Sequence, residues 1–255
     1  MKKRSALTIA GSDPCGGAGL QADLRTFASI GVHGLSIPAV LTAQNTAGVE
    51  SIQEIPSGFF AVQLEVLLRD IQPDAVKTGM LYTEEIVDIT AEAIRKYALQ
   101  NFVIDPVTVS SSGVALLKAG VADRIMNVLF PLATVITPNI KEAGQFTGIE
   151  ITSVEQMREA ALKLIDFGPK YVIITGGHLK DSAEDLLYDG KEFYTVNNEL
   201  LPGEFHGTGC IFSSAFAALL ARGEGICDAF RLAKEYVWQA MNSAQALGRG
   251  MKILG

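Results

Sequence analysis

The sequence predicts an α/β protein with a mainly parallel central sheet between two helix layers, a three-layer α/β/α sandwich. Three observations carry this. Apolar strand-like runs alternate with segments of helical periodicity. Short polar clusters follow the strands, as at the carboxyl ends of parallel strands. No Pro/Ser-rich linker, charge block or repeat divides the 255 residues, so one domain spanning 1–255 is expected.

The elements follow in order. Residues 6–10 (Ala-Leu-Thr-Ile-Ala) read as a buried strand, and a helix with Leu20, Leu24 and Phe27 on one face comes next. A second strand lies near residues 36–41, and Phe60, Leu64, Leu67 and Ile71 mark another helix. Residues 75–77 form a short strand before a helix carrying Ile86, Ile89 and Ala93. Further strands at 102–104, 134–136 and 171–174 end at Asp105-Pro106, Thr137-Pro138-Asn139 and Thr175-Gly176-Gly177. Residues 186–194 read as a hairpin around Asp189-Gly190. A helix runs over 211–220, and a last one stripes Ile226, Phe230, Ala233, Val237, Ala240, Ala244 and Leu247.

An apolar fraction of 48% supports a substantial core. The net charge of −7, without a basic stripe, argues against nucleic acid as a partner. It leaves phosphate ligands open, because backbone amides bind anions without net positive charge. Cys15, Cys210 and Cys227 show neither metal-ligand spacing nor a disulfide framework, which fits a reduced, cytoplasmic setting. The apolar stretch after Met1-Lys2-Lys3-Arg4 is too short for a signal-peptide core. No apolar run is long enough to span a bilayer, so no membrane partner is expected.

Several motifs carry chemistry. Gly16-Gly17-Ala18-Gly19 follows the first strand and opens a helix, loosely matching a dinucleotide fingerprint. The acidic residue expected after strand two is missing, since that region reads Leu41-Thr42-Ala43-Gln44, and a nicotinamide or flavin site is rejected. The loop reads either as a packing turn or, preferably, as a place where backbone approaches a small substrate. No Gly-x-x-x-x-Gly-Lys-Ser/Thr loop is present. His206-Gly207-Thr208-Gly209-Cys210 precedes an apolar helix, whose unpaired first-turn N–H groups and dipole make an anion site. Cys210 sits in that first turn, where a lowered thiol pKa would suit a base taking a hydroxyl proton. The same string fits equally an N-cap turn followed by a small buried cysteine. Asp105 is either a Mg²⁺-holding carboxylate or a turn-forming Asp. Asn139 and Glu142 share a helix face, where they orient ATP phosphates and Mg²⁺ or form a capping box. His33 reads as structural, and His178 and His206 as loop contacts only.

Together these strings resemble a known family. Gly11-Ser12-Asp13, Gly16 through Leu24, Leu41 through Thr46, Lys77-Thr78-Gly79-Met80, Asp105-Pro106-Val107, Thr137-Pro138-Asn139 with Glu142, Gly176-Gly177-His178 and His206 through Cys210 look like the hydroxymethylpyrimidine/phosphomethylpyrimidine kinases of thiamine biosynthesis. The resemblance covers nearly the whole chain, in order. It implies a ribokinase-like fold, ATP and Mg²⁺ as cofactors, a small pyrimidine substrate and a homodimer. By position it places Gln44 against the aminopyrimidine edge, Asp23 near the hydroxymethyl or amino group, and Gly11, Ala18, Met80 and Val107 in the pocket lining. Cys210 matches the catalytic cysteine, with Gly207 and Gly209 in the anion hole. Asp105, Asn139, Glu142, Thr175 and Thr208 fall on the nucleotide side, with Asp105 and Glu142 facing the metal. A side-chain amide offers donor and acceptor together, as an aminopyrimidine requires.

The chain departs from the family pattern at Thr175 and Ser111, each replacing a Lys, at Phe205, which replaces a Thr, and in the tail Gly248-Arg249-Gly250-Met251. Two phosphate-facing cations are therefore missing, which bears on a second phosphorylation whose acceptor already carries a phosphate. It also leaves the turn at 207–210 with more of the phosphate stabilisation. Two other readings stand beside the first: a pyridoxal or pyridoxine kinase of the same fold, and a catalytically weak pyrimidine-sensing module.

Overall fold

The computed structural model describes residues 3–110, 113–177, 179 and 183–254. The chain forms β1 (Ser5–Ser12), α1 (Gly19–Ser29), β2 (His33–Asn45), β3 (Gly48–Glu54), α2 (Ser57–Asp70), β4 (Ala75–Thr78), α3 (Glu84–Lys96) and β5 (Phe102–Ile104). Next come α4 (Val121–Arg124), running on through a π turn and a 3₁₀ turn to Leu132, then β6 (Val135–Ile136), α5 (Ile140–Thr147), α6 (Val154–Ile165) and β7 (Tyr171–Ile174). The remainder is β8 (Asp185–Tyr188), β9 (Phe193–Val196), β10 (Phe205–His206), α7 (Thr208–Arg222), α8 (Ile226–Asn242) and β11 (Lys252–Ile253).

Nine strands make one sheet in the order β3-β2-β1-β4-β5-β6-β7-β8-β9. The centre, β2 through β7, is parallel, and β3, β8 and β9 are antiparallel at the two edges. This is the expected sandwich. Alternate strand residues feed two cores. Leu7, Ile9, Val76, Phe102, Ile104 and Val172 pack with α2, α3, α5 and α6. Ala6, Ala75, Val103, Val135 and Ile173 pack with α1, α7 and α8. Helix α7 is buried along almost its whole length against the sheet centre, with Phe216 fully enclosed. None of the described helices is long and apolar enough to cross a membrane.

Three expectations change. Strand β2 runs on to Asn45 and pairs with β3, so Leu41 to Gln44 lie on an extended flap and not in a loop after a short strand. The last helix ends at Asn242, leaving Ala244 and Leu247 outside it and Leu247 largely exposed. Its apolar stripe is overridden because the chain turns back: β11 pairs with β10, and Gln245 bridges to Ile253. Helix α6, which the periodicity reading passed over, is started by the Ser153 hydroxyl accepting from the Gln156 N–H. The hairpin forms as expected, with Asp189 Oδ1 accepting from the Lys191 and Glu192 amides across its turn.

Candidate active site

The polar clusters after β1, β4, β5, β6 and β7 gather at one edge of the parallel sheet, and the start of α7 is set against them. Thr8 on β1 and Lys77 on β4 both face the α1/α7 layer. Lys77 is completely buried, and its ammonium donates to both oxygens of Asp23 on α1, at 2.9 and 2.8 Å. The Thr8 hydroxyl donates to the same carboxylate at 2.6 Å. Lys77 Nζ lies 3.9 Å from Asp105 Oδ2, which accepts from the Ser213 hydroxyl of α7 at 3.0 Å. Burial disfavours the Lys77 charge, but the adjoining Asp23 outweighs it and keeps the lysine protonated beyond its ordinary range. Burial raises the Asp105 pKa, with Lys77 and Ser213 opposing the rise.

The turn at the head of α7 depends on Gly207. Its φ of +81° is left-handed, and a Cβ there would strike the carbonyl oxygen of Gly17. Ile211 is the first residue of α7 whose amide bonds back to the turn, to the Gly207 carbonyl at 2.9 Å. The preceding amides of Thr208, Gly209 and Cys210 begin the helix and point out of it. This is the anion-site geometry expected. The expected lowering of the Cys210 pKa is not found. Burial pushes the thiol up to about 12, Asp105 and Asp23 add to the rise, and only Lys77 and a backbone hydrogen bond oppose it. It is therefore a thiol, because burial, aided by the neighbouring carboxylates, outweighs Lys77 and the helix terminus.

The glycine loop also differs from its preferred reading. A Cβ on Gly17 would collide with the His206 ring, and one on Gly19 with the Gly11 carbonyl. These glycines let the chain close on itself, not on a ligand. Asp13 organises the loop: its carboxylate accepts from the Cys15 amide at 3.0 Å, the Ala18 amide at 2.8 Å and His206 Nε2 at 2.9 Å. Burial works to raise the Asp13 pKa, but the hydrogen bonds from His206, Cys15 and Ala18 prevail and hold it below the ordinary value.

Of the residues expected to face the nucleotide, Asn139 and Glu142 form the capping box of α5. The Asn139 side chain accepts from the Lys141 and Glu142 amides, and Glu142 Oε2 accepts from the Asn139 amide at 2.9 Å. Thr175 bridges to Asn139, and its amide donates to the Pro138 carbonyl at 3.0 Å. Burial, aided by the negative charge of Asp105, raises the Glu142 pKa to about 8. Two buried carboxylates that repel one another are a fitting donor set for a hard divalent cation, which would relieve the repulsion.

Of the residues expected to line the substrate pocket, Met80 packs with Val40 and Leu116, and Val107 borders the same cluster. Gly11 lies under it, where a Cβ would come within 3.2 Å of Val40 and 3.3 Å of Met80 Sδ. Ala18 is half-buried at the head of α1. Gln44, half-exposed on the flap, reaches His206 at 3.0 Å. Asp23 does not belong to this group. It is fully buried with its oxygens occupied by Lys77 and Thr8, so it holds the lysine and is closed to a substrate. Ser111 and His178 lie outside the described residues. Sequence reasoning left Asp13, Lys77 and Ser213 without roles. A lysine inside an otherwise apolar strand was the available signal for Lys77.

Comparison with known proteins identifies the family. A family model described as phosphomethylpyrimidine kinase matches residues 13–254. The hydroxymethylpyrimidine/phosphomethylpyrimidine kinase of Streptomyces coelicolor is 42% identical over 246 residues, covering 96% of this chain and 91% of that protein. The thiamine biosynthesis bifunctional protein ThiED of Geobacter sulfurreducens is 44% identical over 248 residues, covering 96% of this chain and 51% of that protein, so the chain spans about half the length of this relative. The crystal structure of an ADP complex of Bacillus subtilis pyridoxal kinase superposes with a TM-score of 0.91 at 38% identity, covering 99% of this chain and 97% of that one. The expected fold is thus met by a homologous kinase structure. This chain belongs to the phosphomethylpyrimidine kinase family.

Proposed function

We propose that this chain is an ATP-dependent kinase of thiamine biosynthesis that phosphorylates 4-amino-5-hydroxymethyl-2-methylpyrimidine, then converts the monophosphate to the diphosphate. The observation that carries the reading is an open helix terminus at Thr208 to Cys210 with a buried Lys77–Asp105 pair behind it, together with Gln44, which touches His206 just before that terminus and pairs on its strand with Val49 of the apolar cluster holding Met80 and Val107. The names of the relatives and the ADP complex of the pyridoxal kinase support it. Gln44 presents a donor and an acceptor to the aminopyrimidine edge, while Met80, Val107, Gly11 and Ala18 take its flat face. The amides of 208–210, with Gly207 and Gly209 making the turn, receive the charge of the transferred phosphoryl group. Asn139, Thr175 and Thr208 border the nucleotide. Asp105 and Glu142 would hold Mg²⁺, which when bound neutralises phosphate charge.

Cys210 acts here as a proton relay, not as a preformed thiolate. As the new O–P bond forms and the bond from the γ-phosphorus to its leaving oxygen breaks, the acceptor hydroxyl gives its proton to Cys210 Sγ. The thiol proton passes to an oxygen of the transferred phosphoryl group, which carries it away with the product, so Asp105 is left free to hold the cation. A coupled assay on Cys210→Ala tests this: kcat is expected to fall by roughly 10²-fold or more, and full turnover removes the relay.

The close likeness to a pyridoxal kinase motivates a second substrate reading, turnover of pyridoxal. Side-by-side rates on the pyrimidine, its monophosphate and pyridoxal decide it. The pyrimidine is expected to lead, and much faster pyridoxal turnover overturns the first reading. A homodimer in the cytoplasm completes the proposal. Phe59, Val62 and Val66 form an exposed apolar stripe on α2 suited to a second copy, and sedimentation checks it.

A further inference from the structure

Gln44, His206 and Asp13 form a chain of contacts whose hydrogens fit in only one way. Which end of a carboxamide is oxygen follows from its partners. Gln44 Nε2 is placed 3.0 Å from His206 Nε2, and Gln44 Oε1 3.2 Å from the Thr42 hydroxyl. That orientation makes His206 Nε2 the acceptor and moves the ring hydrogen to Nδ1. Nδ1 is buried and has no partner among the described residues, so an N–H there would be orphaned. It would also leave a bare Nε2 lone pair facing Asp13 Oδ2 at 2.9 Å, where the carboxylate is ionised.

Turning the carboxamide over removes both faults. His206 then carries its hydrogen on Nε2, donated to Asp13 Oδ2 and shared with Gln44 Oε1. The Thr42 hydroxyl already donates to the Ser12 carbonyl at 2.8 Å, so its free lone pairs accept from Gln44 Nε2–H. Each end of the amide is left with one unused site: a lone pair on the oxygen and a hydrogen on the nitrogen. The ring itself is held flat by Gly17, where any side chain would collide with it.

We propose that Asp13 and His206 are positioning residues that lock the Gln44 carboxamide with its oxygen on the His206 side and its nitrogen on the Thr42 side, and so select an aminopyrimidine over the corresponding oxopyrimidine. This rests on Gln44 meeting the substrate edge, as proposed above. In that lock the exocyclic amino group lies on the His206 side and donates to Oε1. The unprotonated ring nitrogen lies on the Thr42 side and accepts from Nε2. A 4-oxo ring, with a carbonyl and a ring N–H, requires the reverse and meets oxygen with oxygen. Wrong-way pairing of a two-point contact is worth on the order of 10- to 100-fold.

The test compares kcat/KM on the 4-amino substrate and its 4-oxo analogue for the unaltered enzyme, His206→Leu, His206→Gln and Gln44→Ala. The unaltered enzyme should prefer the amino ring by at least about 10-fold. His206→Leu frees the amide to turn and should bring the ratio near unity, mainly through KM, while His206→Gln restores a donor and most of the preference. An undiminished preference in His206→Leu, together with its loss in Gln44→Ala, rejects the lock and keeps the role of Gln44. An undiminished preference in Gln44→Ala rejects the substrate reading itself. Nitrogen-15 NMR of the unaltered enzyme stands independently of how the variants fold. It should show the His206 hydrogen on Nε2 and a bare Nδ1, and the opposite tautomer overturns the proposal.

Discussion

Replacing Lys77 by Met keeps the length and the apolar stem but deletes a charge that is fully buried. Asp23 loses two hydrogen bonds of 2.8 and 2.9 Å, and Asp105 loses a cation 3.9 Å away. Both carboxylates stay enclosed, with the Thr8 and Ser213 hydroxyls left beside them. Breaking one side of a buried pair costs about 3–5 kcal/mol, mostly the penalty of the stranded partner. At a urea slope of about 3 kcal/mol/M, the unfolding midpoint should drop by roughly 1–2 M. The double variant Lys77→Met/Asp23→Leu should recover a large part of this, because it removes the stranded charge as well. Equilibrium urea unfolding of the parent, the two single variants and the double variant forms the cycle. A loss below about 1 kcal/mol in Lys77→Met, or simple additivity in the double variant, refutes the reasoning. The pH dependence supplies a further check. Because the folded pKa of Lys77 is raised, its contribution is complete below the ordinary value of 10.5 and is lost as pH rises through the higher folded value.

Other outcomes follow from the same site. Glu142, raised to about 8, takes up a proton as pH falls below that value, so the Mg²⁺ concentration for half-maximal rate should climb as pH drops from 9 toward 6. In Glu142→Gln that climb should flatten, and an unchanged slope rules out Glu142 as its source. Cys210, pushed up to about 12, should be alkylated far more slowly at pH 8 than the exposed Cys227, since only about one part in ten thousand is thiolate; peptide mapping after brief iodoacetamide treatment checks the order. Gly17→Ala should cost about 1–3 kcal/mol by driving a methyl group into the His206 ring, and should raise KM for the pyrimidine through Gln44. A variant with normal thermal stability and KM removes that contact from the argument.

The parallel sheet and the order of its elements were legible because Leu7, Ile9, Val103 and Val172 announce buried strands and the polar clusters mark their ends. The string Gly207 to Cys210 was legible as a helix start, though by itself it fitted an N-cap turn as well as an anion site. What stayed hidden needed three-dimensional neighbours. Lys77 looks like any strand residue until β4 is seen to turn it toward α1. Asp23 satisfied a family position, yet the same lysine closes it off. The Cys210 thiol was read from its helix terminus alone, whereas its burial, with Asp105 and Asp23, distant in sequence, adding to it, sets its proton affinity. Gly17 is explained by the His206 ring and Gly207 by the Gly17 carbonyl, partners that lie across most of the chain. The stripe ending at Leu247 continued on paper beyond Asn242, because periodicity cannot register that the next residues are captured by β10.

That capture has a bearing on when the protein becomes competent during its synthesis. The amides of Gly250 and Met251 donate to the hydroxyl and carbonyl of Thr46, two residues after Gln44, across 204 positions in the first case. β11 meanwhile pairs with the strand that carries His206. A chain leaving the ribosome amino end first presents its flap early, with nothing to fasten it. The fastening is made 204 positions further along the chain. Such distant closures form late in folding, so the parallel sheet can assemble before the flap that carries Gln44 is held in place.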